Sequence, residues 1–321
     1  MRPLNYLTIV LLCVTLGVPI SGAAKSLSGA YLAARQADVE RDYRISEQYY
    51  TRALRQDPNN PALMEYLIMA HISLGQFAAA SPVAQRLDAQ QVDSQLVNMM
   101  QIATGAAQGQ YDDILLRIDQ GKGIGALIDS LLVAWAITGQ GKMSDALAAF
   151  DSVAEKQGVE AFARYHKALA LAHAGDFESA AEIFEQTVDA GIRLTRRGVI
   201  AQIQVLSQLD LGDQAIAVLD RSFGASLDPE ISNLRQRLSA DETLDFSIVR
   251  TPREGLAEVF YSIANILSAD AEPDYTLFYT RIAEYLRPDH LDAVLFSASL
   301  LEQLEQFELA SQNYTKIPIS A

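Results

Sequence analysis

Few residues in this chain have both the type and the spacing that chemistry requires. The run Gly121-Lys122-Gly123-Ile124-Gly125 puts a lysine inside a glycine-rich loop, where backbone N–H groups and an ammonium can cradle a phosphate. It lacks the G-x-x-x-x-G-K-[ST] order of a nucleotide loop. The run Gly139-Gln140-Gly141-Lys142 fails too, because Met143 stands where a magnesium-binding hydroxyl is needed. Both runs are read as turns between helices. The four histidines are His71, His166, His173 and His290. None has the H-E-x-x-H spacing that places two imidazoles on one zinc ion. His166 and His173 can share a helix face, but two imidazoles alone make a poor metal site. There is no G-x-S-x-G nucleophile elbow. Acidic pairs such as Asp112-Asp113 read as helix starts, where negative charge favours the macrodipole. The expectation is a chain that is not an enzyme and has no catalytic residue, metal or cofactor.

The elements that carry these residues follow a repeat. A small residue, a polar residue, an aromatic and then an alanine three positions on recur as Gly75-Gln76-Phe77 with Ala80 and as Gly175-Asp176-Phe177 with Ala180. Variants read Gly109-Gln110-Tyr111 with Ile114, Gly141-Lys142-Met143 with Ala146, and Gln306-Phe307 with Ala310. The alanine slot falls at Ser46, Ala80, Ile114, Ala146, Ala180, Ala215, Thr276 and Ala310, at spacings of 34, 34, 32, 34, 35, 61 and 34 residues. A fixed period near 34 residues is the mark of a stacked repeat. Apolar residues at helical spacing, such as Ala168 and Leu171, predict two helices per unit. A turn glycine ends the first helix, and Asp57-Pro58 closes a unit. Each pair is too thin to bury its apolar face alone, so the pairs must stack.

These segments resemble tetratricopeptide repeats, most closely over residues 45–61 and 168–184, with the resemblance covering roughly residues 27–317. It implies an all-α fold, a right-handed superhelical solenoid of about eight helix–turn–helix repeats. Six repeats are expected over 27–221 and two more over 252–317, the last of them incomplete. The extra residues at 222–251 read as an insertion and as the seam between two sub-arrays. Asp228-Pro229 starts a helix there over 231–238, and the β-branched stretch 243–250 is extended.

The same resemblance implies that first helices line a concave groove for a partner peptide or protein. Mapped onto this chain, the groove positions are Glu65, Met69 and Ile72, then Met99, Trp135, Phe162 and Tyr165. Arg197, Gln204 and Ser207 follow, then Glu258, Tyr261, Asn265 and Asp292. They form a mixed surface of aromatics, amides and some charge, without the dense basic set that clamps a terminal carboxylate. Arg193, Arg196 and Arg197 cluster beside Thr195 and read either as a solvated helix start or as an anchor for an acidic partner segment. Lys167 occupies a slot usually held by leucine, where it either snorkels or bridges neighbouring repeats.

The formal net charge of −15 argues against nucleic acid and against broad docking on anionic lipid. At the N-terminus, Met1-Arg2 precedes an apolar run over 4–18, then Pro19 and the small residues Ser21-Gly22-Ala23-Ala24. That order is expected of a signal peptide over residues 1–23. It predicts a periplasmic protein of a Gram-negative envelope, or else an uncleaved inner-membrane anchor facing the periplasm. Cys13, the only cysteine, lies inside the apolar run, so a processed chain can form no disulfide. The chain ends on Ile317-Pro318-Ile319-Ser320-Ala321, one position before the next turn proline is due, which suggests a piece of a longer array or an end face that docks. The functional expectation is an interaction scaffold, with a structural assembly subunit that docks through its last repeat as the alternative.

Overall fold

The computed structural model describes residues 27–156, 158–224 and 228–318, so the expected signal segment with Cys13 lies outside the described residues. The described residues form seventeen helices and no strand. Eight antiparallel pairs succeed one another: α1 (Leu27–Val39) with α2 (Tyr43–Leu54), α3 (Pro61–Ser73) with α4 (Phe77–Asp88), and α5 (Gln95–Gln108) with α6 (Tyr111–Asp119). Then come α7 (Ala126–Gly139) with α8 (Met143–Ala154), α9 (Glu160–His173) with α10 (Phe177–Asp189), and α11 (Arg196–Gln208) with α12 (Gly212–Phe223). The single helix α13 (Pro229–Ser239) precedes α14 (Pro252–Leu267) with α15 (Pro273–Leu286) and α16 (Leu291–Gln303) with α17 (Phe307–Tyr314). None of these helices is long and apolar enough to cross a membrane.

Local chemistry sets the boundaries. Asn60, Asp176 and Asp228 each accept a hydrogen bond from the backbone N–H three residues on, satisfying a donor left free at the helix start. Pro61 and Pro229 occupy first helical positions, where the missing N–H is harmless. Gly75 at φ 72° and Gly175 at φ 85° take the left-handed conformation that turns the chain between paired helices. In the sixth pair Asp210, at φ 59°, holds that slot instead, and Gly212 is already helical.

The departures from alanine at the marker position are matched by their neighbours. Ser46 donates to the Asp38 carboxylate at 2.7 Å. Ile114 fits because Gly105 faces it, and a Cβ there would lie 3.2 Å from Ile114 Cγ1. Bulk added on one helix is thus removed from the other, which keeps the pair close-packed.

Stacking runs pair on pair from α1 to α13, and then the chain doubles back. Helix α14 packs on the first helices α5, α7 and α9, and α15 packs on α3 and α5. The seventh repeat therefore fills the hollow of the first array and does not extend the spiral, and the eighth packs on α15. Gly255 of α14 sits against Trp135 of α7 so closely that a Cβ would come within 2.2 Å of the indole. The ring closes at the other end, where Arg41 reaches Asp274 at 2.9 Å and Arg281 donates to the Ser73 carbonyl at 3.2 Å. A large apolar core runs from Ala30 to Ala293 across the 222–251 stretch, and a second, smaller cluster gathers Tyr43, Leu277, Leu300, Leu301, Leu304 and Leu309. Between α12 and α14 lie the single helix α13 and then an extended stretch.

Candidate binding site

The groove positions do not face an open channel, which corrects the picture of a groove lying free for a partner. Trp135 is 0% exposed, and Met99 and Ile72 are buried with it in the core beneath α14 and α15. Arg197, Gln204, Ser207 and Glu258 are buried as well. Glu65 is half-buried and accepts from the Ser94 hydroxyl, while Met69, one turn on along α3, stays exposed. The physical reason is the fold-back: apolar first-helix faces already have an apolar occupant within the chain, and burying both removes them from water.

The occupant is held by charge. The Arg197 guanidinium donates to both oxygens of Glu258, with Nη2 2.7 Å from Oε2, and to Asp292 at 2.8 Å. It also lies over the Tyr261 ring. Tyr165 donates to Glu258 Oε1 at 2.8 Å. His290 caps α16 by accepting from the Ala293 N–H at Nδ1, so its proton sits on Nε2, 3.3 Å from Glu258 Oε2. Burial alone would raise the Glu258 carboxyl, but Arg197 and His290 outweigh it and hold it well below the usual carboxylate range. Burial, with help from Arg197, pushes the His290 imidazole down, and burial drives the Tyr165 phenol well up. Shifted groups in a cluster invite a catalytic reading. Here each charge is spent on another side chain and Glu258 is 1% exposed, so the cluster is a clasp.

A second clasp uses amides. The extended stretch 243–250 runs along α11, where Gln204 accepts from the Ser247 N–H at 2.9 Å and donates to its hydroxyl at 2.8 Å. Ser207 accepts from the Leu244 N–H, and Gln208 donates to the Leu244 carbonyl. The groove of the sixth repeat thus grips an extended segment through its backbone, with that segment supplied in cis.

The glycine-rich loop is also accounted for. The N–H groups of Ile124 and Gly125 both donate to Asp129, and Lys122 lies 3.3 Å from Asp88. The backbone N–H groups of Gly121 and Lys122 also donate to α6 carbonyls, so most of the loop's donors are used within the chain. Lys167 pairs with Asp151 of α8 at 2.6 Å, bridging neighbouring repeats.

What remains open is a pocket of about 290 Å³ between α9, the turn before α11, and α14. Six of the expected groove residues, Phe162, Tyr165, Arg197, Glu258, Tyr261 and Asn265, meet there. Ile192 and Leu194 add apolar wall from the turn, a contribution that groove positions counted on helices alone do not include. Arg193 stands exposed at the rim. Arg196 is engaged with Asp228 and Glu230, so two of the three clustered arginines anchor acidic residues of this chain itself. An apolar pocket with a few fixed polar groups is suited to one side chain of a bound segment.

The family model of the tetratricopeptide repeat matches residues 40–101, and a second model of the same repeat matches residues 138–193. These two stretches are tetratricopeptide repeats. Among solved structures, the chain is similar to the MamA RS-1 ArsTM double mutant at 15% identity, covering 60% of this chain and 93% of that one at a TM-score of 0.27. It is also similar to the TPR domain of P58(IPK) at 13% identity, covering 90% of this chain and 92% of that one at a TM-score of 0.26. No curated protein matches the sequence. Tetratricopeptide repeats mediate contacts between proteins, and no catalytic family is indicated. The second matched stretch ends at Arg193, on the pocket's own rim.

Proposed function

We propose that the chain is a protein-binding scaffold of the bacterial cell envelope, without catalysis, that takes a partner segment at the pocket between α9, α11 and α14. The observation that carries this reading is the convergence of first-helix residues from three repeats, Tyr165, Arg197 and Tyr261, on an apolar pocket left open by the fold-back. The grip of Gln204 and Ser207 on an extended backbone supports it, since main-chain hydrogen bonds of that kind are how grooves hold extended peptides. The envelope rests on the basic start, apolar run and small residues at the N-terminus.

A photo-crosslinking residue placed at Asn265 tests the reading in the native host, with Asp213 on the exposed face of α12 as control. A discrete adduct from the Asn265 position alone is the expected result. Adducts equal at both positions, or adducts at Asp213 only, would remove the pocket from the interaction. Release of the protein by osmotic shock checks the compartment, and retention in the membrane pellet would favour the anchored form.

The last described repeat supports a second reading as an assembly subunit. It leaves Phe307 66% exposed, together with Leu295 and Tyr314. Light scattering on the purified chain decides between self-assembly through that face and a monomer.

A further inference from the structure

A second recess lies on the other side of the Gly191–Arg196 turn, outside the groove. It measures about 520 Å³ and is bounded by the end of α10, the start of α11 and the end of α12. Three of its side chains are unspent. Arg193 and Arg221 are both exposed and have no carboxylate or other partner among the described residues, although the chain carries a net charge of −15 and most of its arginines are paired. Gln202 makes no hydrogen bond within the described residues, and its carboxamide opens on the recess. Val199, Leu194 and Phe223 supply an apolar floor between the three polar groups.

We infer that this recess binds a short acidic peptide segment of a partner protein, with an apolar side chain on the floor, carboxylates on Arg193 and Arg221, and backbone on Gln202. The inference rests on the scaffold reading and adds to it the chemistry of the partner. Charge complementarity sets the class. A guanidinium with no internal partner takes a carboxylate in a bidentate, charge-assisted bond, and Gln202 offers the donor and acceptor that a peptide bond needs. A lipid surface or a nucleic acid fits less well. Either would bring a broad sheet of negative charge against a molecule that is itself acidic outside the recess. A single segment meets only the local field, because salt screens the remainder beyond about 10 Å.

The test is fluorescence anisotropy on the full chain with a labelled hexapeptide in which glutamates flank Leu-Phe. Counterparts carry glutamine or lysine in place of glutamate, and phosphatidylglycerol vesicles serve as a separate arm. The glutamate peptide is expected to bind, and the other two to bind at least about tenfold more weakly. Arg221→Glu, at an exposed site that leaves the fold intact, is expected to weaken binding by about tenfold or more. Gln202→Leu is expected to weaken it without changing the preference for glutamate. Equal binding of the three peptides, no loss in Arg221→Glu, or vesicle binding that depends on Arg221 would each overturn the proposal. Arg221 does not line the first pocket, so adducts at Asn265 without binding here would leave the scaffold standing and remove only the acidic segment.

Discussion

Arg197 of α11 and Glu258 of α14 are 61 residues apart in sequence and joined by three hydrogen bonds in the structure, the shortest 2.7 Å. Both side chains are buried, so neither charge has water to fall back on. Removing one partner strands the other, which typically costs about 3–5 kcal/mol, whereas replacing both with apolar residues is far milder. Glu258→Met and Arg197→Met are each expected to lower the denaturation midpoint markedly, and the double change to recover most of the loss. Additive losses in the double variant would mean that the two groups do not act as a pair.

The close approach of Gly255 to Trp135 makes the docking of the last repeats directly observable. Trp135 is the only tryptophan, and it is fully buried under α14. Gly255→Leu cannot be accommodated by a small adjustment, because the first added carbon already meets the indole ring at 2.2 Å. Overpacking of this kind costs about 1–3 kcal/mol or more. The expected result is a red shift of tryptophan emission and faster proteolysis within 240–251, with helical circular dichroism largely kept. Unchanged emission would show that α14 does not lie on Trp135.

The repeats were legible because their signal is local. Gly75 and Phe77 sit within one turn, and the Ala80 slot follows within a few residues, so the period survives in the sequence. The marker substitutions were visible but not their compensation, since Gly105 facing Ile114 is a contact between helices. The 61-residue step marks a break in the period without telling where the chain goes next. The fold-back depends on partners far apart: Arg197 with Asp292, 95 residues on, and Arg281 with the Ser73 carbonyl, 208 residues away. An apolar first-helix face looks the same in sequence whether a partner covers it or α14 does. Groove positions such as Trp135 and Gln204 therefore meet the chain itself.

His166 should make stability fall with acid before the carboxylates do. It is fully buried, its Nδ1 accepts from Trp135 Nε1 at 3.1 Å, and burial pushes its imidazole down to about 4. The unfolded imidazole titrates near 6.5. Between these values the unfolded chain takes up the proton and the folded chain does not. The contribution is thus full above about pH 6.5 and lost as pH falls toward 4, on the order of 3 kcal/mol in total. His173 and His290 are shifted down as well and add with the same sign. His166→Gln, which keeps an acceptor for the indole, is expected to flatten the denaturation profile over this window. A slope unchanged by that substitution would assign the effect to the other two.

The hold of α11 on the extended stretch makes the last prediction, because it separates local release from global unfolding. Gln204 contributes two of the hydrogen bonds that fix Ser247, one of them to its backbone N–H. Each such bond is worth about 0.5–1.5 kcal/mol net. Gln204→Leu keeps the apolar volume and removes both, so the Ser247 amide is expected to exchange with deuterium roughly tenfold faster, a change near 1.4 kcal/mol in local opening. Leu244 should exchange faster to a smaller degree, since Ser207 and Gln208 still hold it. Amides in α7 should be unaffected, because they report the stacked core and not the strap laid over α11. Faster exchange in α7 as well would mean that the stretch cannot loosen without the whole array, and that the grip in cis is part of the core.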